Sequence, residues 1–274
     1  MKIILLLFFI SSCSNLFYQP TRYPYANPEQ FVLKVEDIWF KSSDGTELNG
    51  WWMPSTIVKP LGSIVFFHGN AQNISSHFIN LAWITHVGYN VFIFDYRGYG
   101  LSDGVPSQQG VYDDAIAGLD QGYELHQKNI PNGKFIVYGQ SLGGVISLRA
   151  IPDFKFQDKI DLIVQDSTFM NYKMIAFDKL TDHWLSFIFS PLAFVLVSNE
   201  YASDDVVKKI HQPVLVIVGK KDRHVNPKFG KKIYKEVSSK KKWIWKINDG
   251  DHIDVFAKHD NKYRLKFIDL LSKL

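Results

Sequence analysis

The chain has 274 residues, of which 46% are hydrophobic and 15% aromatic, with 18 Gly and 11 Pro. That balance excludes a disordered, collagen-like or low-complexity chain, and the length suffices for one large α/β domain or two small ones. The formal net charge of +4 is too small and too scattered to argue for a nucleic-acid partner. The single cysteine excludes an intrachain disulfide and a cysteine-rich zinc site.

Lys2 is followed by an apolar run at residues 3–10 and then by Ser11, Ser12 and Cys13. The run is too short for a membrane span, which takes about 20 residues, and it has the layout of a secretory signal. The stretch Ile10-Ser11-Ser12-Cys13 resembles a bacterial lipobox. The expectation is therefore a lipoprotein signal peptide at 1–12, lipidation at Cys13 and a tether at 13–31. The protein would be exported and anchored by lipid to a bacterial cell membrane, periplasm-facing or outer.

From residue 32 onward, strand-like runs alternate with helical patterns. Residues 35–40 and 48–53 flank Ser43-Asp44-Gly45 and read as a hairpin. Residues 62–67 form a continuous apolar run that suits a buried strand, followed by a helical stretch near 74–86 and a strand at 90–94. Val111, Ala115, Leu119 and Tyr123 recur at intervals of four within a helix at 109–127. A strand at 135–138 leads through Gly139-Gln140-Ser141-Leu142-Gly143 into a further helix. Strands at 161–165, 214–219 and 242–247, with helices at 227–237 and 254–274, complete the set. About eight strands joined mostly by crossover-length connections predict a mainly parallel sheet with helices on both faces. Residues 169–199 are too long and too aromatic for an ordinary connection, and are expected to form a small apolar helical cap insertion over the site.

The chemistry centres on residues 139–143, a G-x-S-x-G pattern placed between a strand and a helix, which is the context of a nucleophile elbow. The turn lifts Ser141 above the sheet edge at a helix N-terminus, where negative charge is favoured. A serine hydroxyl needs a base within hydrogen-bond reach. Among nine histidines, His252 follows the last strand and can reach the elbow. His68 reads as a loop-ordering residue, His224 lies in a basic turn and His259 falls in the final helical pattern. The orienting acid is expected at Asp222, after the strand at 214–219, giving the chain order Ser, Asp, His. Asp166 also ends a strand and competes for that role. An oxyanion needs two backbone N–H donors. Leu142 supplies one, and Asn70, with Ala71 as the alternative, supplies the other from the loop after residues 62–67. No Walker-type or dinucleotide glycine fingerprint and no ligand-spaced His/carboxylate cluster occurs, so no metal or other cofactor is expected.

With His68-Gly69-Asn70-Ala71, the run from Asp95 to Gly104, the Ser141 elbow, Asp222 and Gly250-Asp251-His252 in this order, residues 32–274 resemble the α/β-hydrolase superfamily. The HGNA form together with Tyr96-Arg97-Gly98-Tyr99-Gly100 is similar to its small membrane-associated branch of serine-aminopeptidase-like hydrolases and depalmitoylating thioesterases. The resemblance implies a cofactor-free serine hydrolase acting on a small acyl ester or thioester substrate of acyl or lipid type, long acyl chains included, and a structural loop at Asp95–Gly104 whose Arg97 and glycines shape a turn beside the elbow. Residues 169–199 carry no motif assignable within that pattern. Two other readings stay open at this point: a serine aminopeptidase-like peptidase, and a non-catalytic surface binding protein of the same fold.

Overall fold

Four of the runs, Gly62–Phe67, Tyr89–Phe94, Leu162–Asp166 and Val214–Gly219, are buried along their whole length, as strands covered on both faces must be. In the computed structural model, which describes residues 17–182, 184–258 and 261–274, they belong to one eight-stranded sheet. Its strands are β1 (Glu36–Lys41), β2 (Glu47–Met53), β3 (Gly62–Phe67), β4 (Tyr89–Phe94), β5 (Lys134–Gln140), β6 (Leu162–Asp166), β7 (Val214–Gly219) and β8 (Lys242–Ile247). The order is β1-β2-β4-β3-β5-β6-β7-β8, antiparallel for β1/β2 and β2/β4 and parallel elsewhere. All eight strands expected from the sequence are present. The expected signal peptide, Cys13 and His259 lie outside the described residues.

Alternation along the strands divides the core in two. Val65, Phe67, Phe92 and Phe94 face α1 (Gln108–Asn129), α2 (Leu142–Ala150) and α4 (Pro227–Glu236), while α3 (Tyr172–Thr181) covers the same side beyond the strand ends. Ile64, Phe66, Val91 and Ile93 face the other layer, made of short helices at Ile74–His77, Ile79–Ala82 and Trp83–Val87 together with α5 (Lys262–Ser272). The helix expected over 254–274 begins only at Lys262. Before it, Ile253 adopts φ 51° and Asp254 is drawn into a turn, its carboxylate accepting from Asp251 N–H at 2.9 Å. The loop that carries His252 thus consumes the first turns of the expected helix.

Residues 17–31, expected as part of a tether, pack onto the domain instead. Tyr18 is buried in the core, Pro20 bridges Gln72, and the Asn73 side-chain amide donates to the Thr21 and Tyr23 carbonyls at 3.0 and 2.8 Å. This strap lies against the loop that follows β3.

Arg97 ties the loop after β4 to two other elements. Its guanidinium donates to both carboxylate oxygens of Asp114 on α1 (2.8–3.1 Å), to Asp44 in the β1–β2 turn (2.8 Å) and to Ser42 (3.1 Å). Asp114 is fully buried, so removing it leaves the largely buried guanidinium with the half-exposed Asp44 as its remaining carboxylate partner. Asp114→Ala is expected to cost about 3 kcal/mol, read as a lower urea midpoint with an unchanged slope.

Candidate active site

The end of β5 turns so sharply that Ser141 adopts φ 52° and ψ −117°, a conformation that costs a non-glycine residue about 1–3 kcal/mol. Three bonds hold it there. Ser141 N–H donates to the Asp166 carbonyl (2.9 Å), Thr168 Oγ1 donates to the Ser141 carbonyl (2.5 Å), and Gly144 N–H closes onto the same carbonyl (3.0 Å). The flanking glycines are steric requirements: a Cβ on Gly143 would stand 2.1 Å from the Phe67 carbonyl oxygen, and one on Gly139 2.5 Å from Ser147 Oγ.

Two loops bring the other groups to this point. The segment after β7 and the segment after β8 interlock, with Lys220 N–H donating to the Ile247 carbonyl (2.8 Å) and Lys221 N–H to the Gly250 carbonyl (2.9 Å). The interlock sets Asp222 beside His252. Asp222 Oδ1 accepts from the His224 and Val225 amides, both at 2.8 Å, which leaves Oδ2 to His252 Nδ1, also at 2.8 Å. His252 Nε2 stands 3.0 Å from Ser141 Oγ. With Nδ1–H donating to the carboxylate, Nε2 is the unprotonated nitrogen and can take the hydroxyl proton. The structure therefore brings Ser141, His252 and Asp222 together in one hydrogen-bonded line.

Asp166 has other partners. It lies buried at the end of β6 and accepts from Tyr138 Oη (2.8 Å) and Ser167 Oγ (3.1 Å). Burial, opposed by those bonds and by nearby His252, pushes its carboxyl up to about 6. Between the ordinary carboxylate range and pH 6, the folded chain keeps a proton that the unfolded chain has released, so stability falls as pH rises through that window. Relative to Asp166→Asn, the parent is expected to lose stability at about 1.4 kcal/mol per pH unit between pH 4 and 6, and nothing further above pH 7. Urea unfolding of the two proteins across pH 4–8 checks this.

The HGNA loop after β3 forms the opposite wall. Asn70 Oδ1 accepts from Ala71 N–H (2.8 Å), Gln19 N–H (2.9 Å) and Tyr99 Oη (3.1 Å). Because the Ala71 amide is committed to that side chain, Asn70 is the better placed of the two sequence candidates for an oxyanion donor. Leu142 opens α2, where a first-turn N–H has no partner within the helix. His68 is fully buried beneath the loop, its Nδ1 2.8 Å from the Gly69 carbonyl oxygen and its Nε2 3.5 Å from Asp95. Burial pushes the Asp95 carboxyl up and the His68 imidazole down, so both favour their neutral forms.

Nothing in the sequence marks His77 or Thr168 as part of the site, and Tyr99 and the strap join it through their bonds to Asn70 Oδ1. His77 is buried, stacks on His68 with ring centroids 5.1 Å apart, and has Nε2 3.2 Å from the Ala71 carbonyl. Burial lowers its pKa, favouring the neutral ring. A histidine inside an apolar helical stretch carries no sequence signal of such a place.

Ser141 and His252 open into a cavity of about 800 Å³. Residues 169–199 form its outer wall through α3, a 3-10 turn at Phe187–Leu192 and a short helix at Ala193–Leu196. The excursion closes where it began, with Tyr172 N–H donating to Asn199 Oδ1 at 2.9 Å. Ile175, Leu180, Phe189, Leu192 and Leu196 line the cavity, and Phe17 of the strap joins them.

A mostly parallel eight-stranded sheet with its serine on a strained strand-to-helix turn defines an α/β-hydrolase. The family model described as serine aminopeptidase, S33, matches residues 58–207, and the chain belongs to this family of hydrolases. The protein YfhR of Salmonella typhimurium is 33% identical over 270 residues, covering 93% of this chain and 87% of its own. The α/β-hydrolase domain-containing protein WAV2 of Arabidopsis thaliana is 30% identical over 255 residues, covering 90% and 81%. Among solved structures, an esterase of Pyrococcus furiosus superposes with a TM-score of 0.73 at 20% identity over 94% of this chain and 98% of its own, a likeness of fold.

Proposed function

We propose that this protein is a serine hydrolase of carboxylic esters or thioesters with apolar acyl groups, acting through an acyl-enzyme on Ser141. The observation that carries this reading is the hydrogen-bonded line from Asp222 through His252 to Ser141, opening into an apolar cavity.

His252 takes the proton as Ser141 Oγ attacks the acyl carbonyl, and Asp222 holds the imidazole in the receptive tautomer and stabilises its charged form. The Asn70 and Leu142 amides receive the oxyanion. The imidazolium then protonates the departing alcohol or thiol. Water, deprotonated by the same ring, releases the acid and restores the serine. No step calls for a cofactor.

The family's description raises the peptidase reading. A peptide N-terminus is an ammonium and calls for a carboxylate or an array of carbonyls beside the scissile bond. Among the described residues that line the cavity none is Asp or Glu, and the one formally charged side chain is Lys179. That composition favours a neutral acyl chain over an aminoacyl group.

Ser141→Ala and His252→Ala are each expected to lower hydrolysis of a medium-chain p-nitrophenyl ester about a million-fold, and Asp222→Asn about ten-thousand-fold. Efficiency should rise with acyl length, and aminoacyl p-nitroanilides should be poor substrates. Preference for the anilides would move the assignment to the peptidase.

A further inference from the structure

Residues 184–198 read Trp-Leu-Ser-Phe-Ile-Phe-Ser-Pro-Leu-Ala-Phe-Val-Leu-Val-Ser and contain no charged side chain. The sequence invites burial of so apolar a run, yet much of it faces outward: Trp184 is 81% exposed, Ile188 72% and Val195 79%, with Phe187 and Leu185 also exposed. These side chains lie within thirteen residues of each other on the outer wall of the cavity, and a contiguous exposed apolar patch marks a surface that something covers.

Three observations identify the cover. Phe189, Leu192 and Leu196 are exposed and also line the cavity, so the outward face runs continuously into the site. A protein seated on it would stop the mouth of the cavity, whereas a lipid surface would cover it and leave acyl chains free to enter. The strap also passes the same mouth, with Phe17 lining the cavity. In the sequence, Cys13 stands four positions before Phe17, and the apolar run at 3–10 ends seven positions before it. Finally, the uncharged run is shorter than the roughly 20 residues needed to span a bilayer and is folded as a 3-10 turn and a short helix, with a tryptophan at its start. That geometry suits lying in an interface.

We propose that the exposed apolar face of residues 184–196 is a membrane-docking surface that seats the cavity mouth on lipid. Docking itself is independent of the hydrolytic reading; that the bilayer delivers the acyl substrate rests on it. The face and the N-terminal segment then approach the same bilayer from the same side, and substrate enters without crossing water.

The test uses the full chain with Cys13→Ser, so that no acyl anchor dominates, and neutral phosphatidylcholine vesicles, so that charge attraction is absent. Phe187→Asp, Ile188→Asp and Val195→Asp, combined in one variant, alter the face while leaving the cavity lining and the elbow intact. The combined variant is expected to partition at least tenfold more weakly, by co-sedimentation, while hydrolysing a short soluble ester at the parental rate. Vesicles with brominated acyl chains should quench the fluorescence of the otherwise unaltered chain, and quench Trp184→Phe markedly less. Unchanged partitioning, or equal quenching with and without Trp184, overturns the proposal. So does a variant that only converts a dimer to a monomer, which would assign the face to a second copy. Ser141→Ala should partition like its parent, so a failure of docking is distinguishable from a failure of the hydrolase assignment.

Discussion

The start of α2 comes so close to the end of β3 that no side chain fits between them, and the geometry of the site follows from that contact. A Cβ on Gly143 would stand 2.1 Å from the Phe67 carbonyl oxygen and 2.5 Å from that of His68, closer than side chains approach backbone. To reach this position directly from β5, the chain must turn within one residue, and Ser141 takes up the left-handed backbone that the turn imposes. Strain at one residue is thereby exchanged for a hydroxyl that stands clear of the sheet, beside the amide of Leu142 and the loop that carries Asn70.

Around this point, the molecule holds loops more than it holds helices. The segments after β7 and β8 carry Asp222 and His252, and are bonded to each other through backbone groups at Lys220, Lys221, Ile247 and Gly250. The loop after β4 is held by Arg97, and its Tyr99 reaches across to Asn70. The strap at 17–31 adds the Gln19 amide to the same oxygen and hands two carbonyls to Asn73. Asn70 thus sits where three stretches of chain, far apart in sequence, meet on one side-chain oxygen. That arrangement ties the N-terminal segment to the wall on which the proposed oxyanion would rest.

Most of the fold was legible because its central strands are uninterrupted apolar runs and its turns carry Gly and Asp where backbone or capping demands them. The elbow and the order Ser141, Asp222, His252 were legible for a further reason: Ser141 follows directly on a strand end, Asp222 and His252 lie in the loops that leave β7 and β8, and all parallel strands end on the same side of the sheet. The order in the chain favours Asp222 but spacing alone does not exclude Asp166, since Asp166 ends a strand and Asp222 follows the neighbouring one. The choice turns on Tyr138 and Ser167, which occupy Asp166, and on the His224 and Val225 amides, which aim Asp222. The strap was misread because a polar, proline-rich composition describes a tether as well as it describes a chain pinned by its backbone. The long final helix was misread because its apolar spacing continues past a turn enforced by Asp254. His77 and Thr168 act through contacts across the sheet edge, which no local pattern encodes.

The described site joins an apolar cavity, an aligned imidazole and a serine on a strained turn, and the outer wall of that cavity is apolar on its solvent side as well. The proposed chemistry depends above all on activation of the Ser141 hydroxyl by His252. Treating the folded full-length chain with a fluorophosphonate and mapping the adduct by peptide mass spectrometry tests it most directly. One phosphonyl group on the peptide containing Ser141, absent when His252 is replaced by alanine, is the predicted result. A folded parent that stays unmodified, or that carries the adduct on another residue, would contradict it.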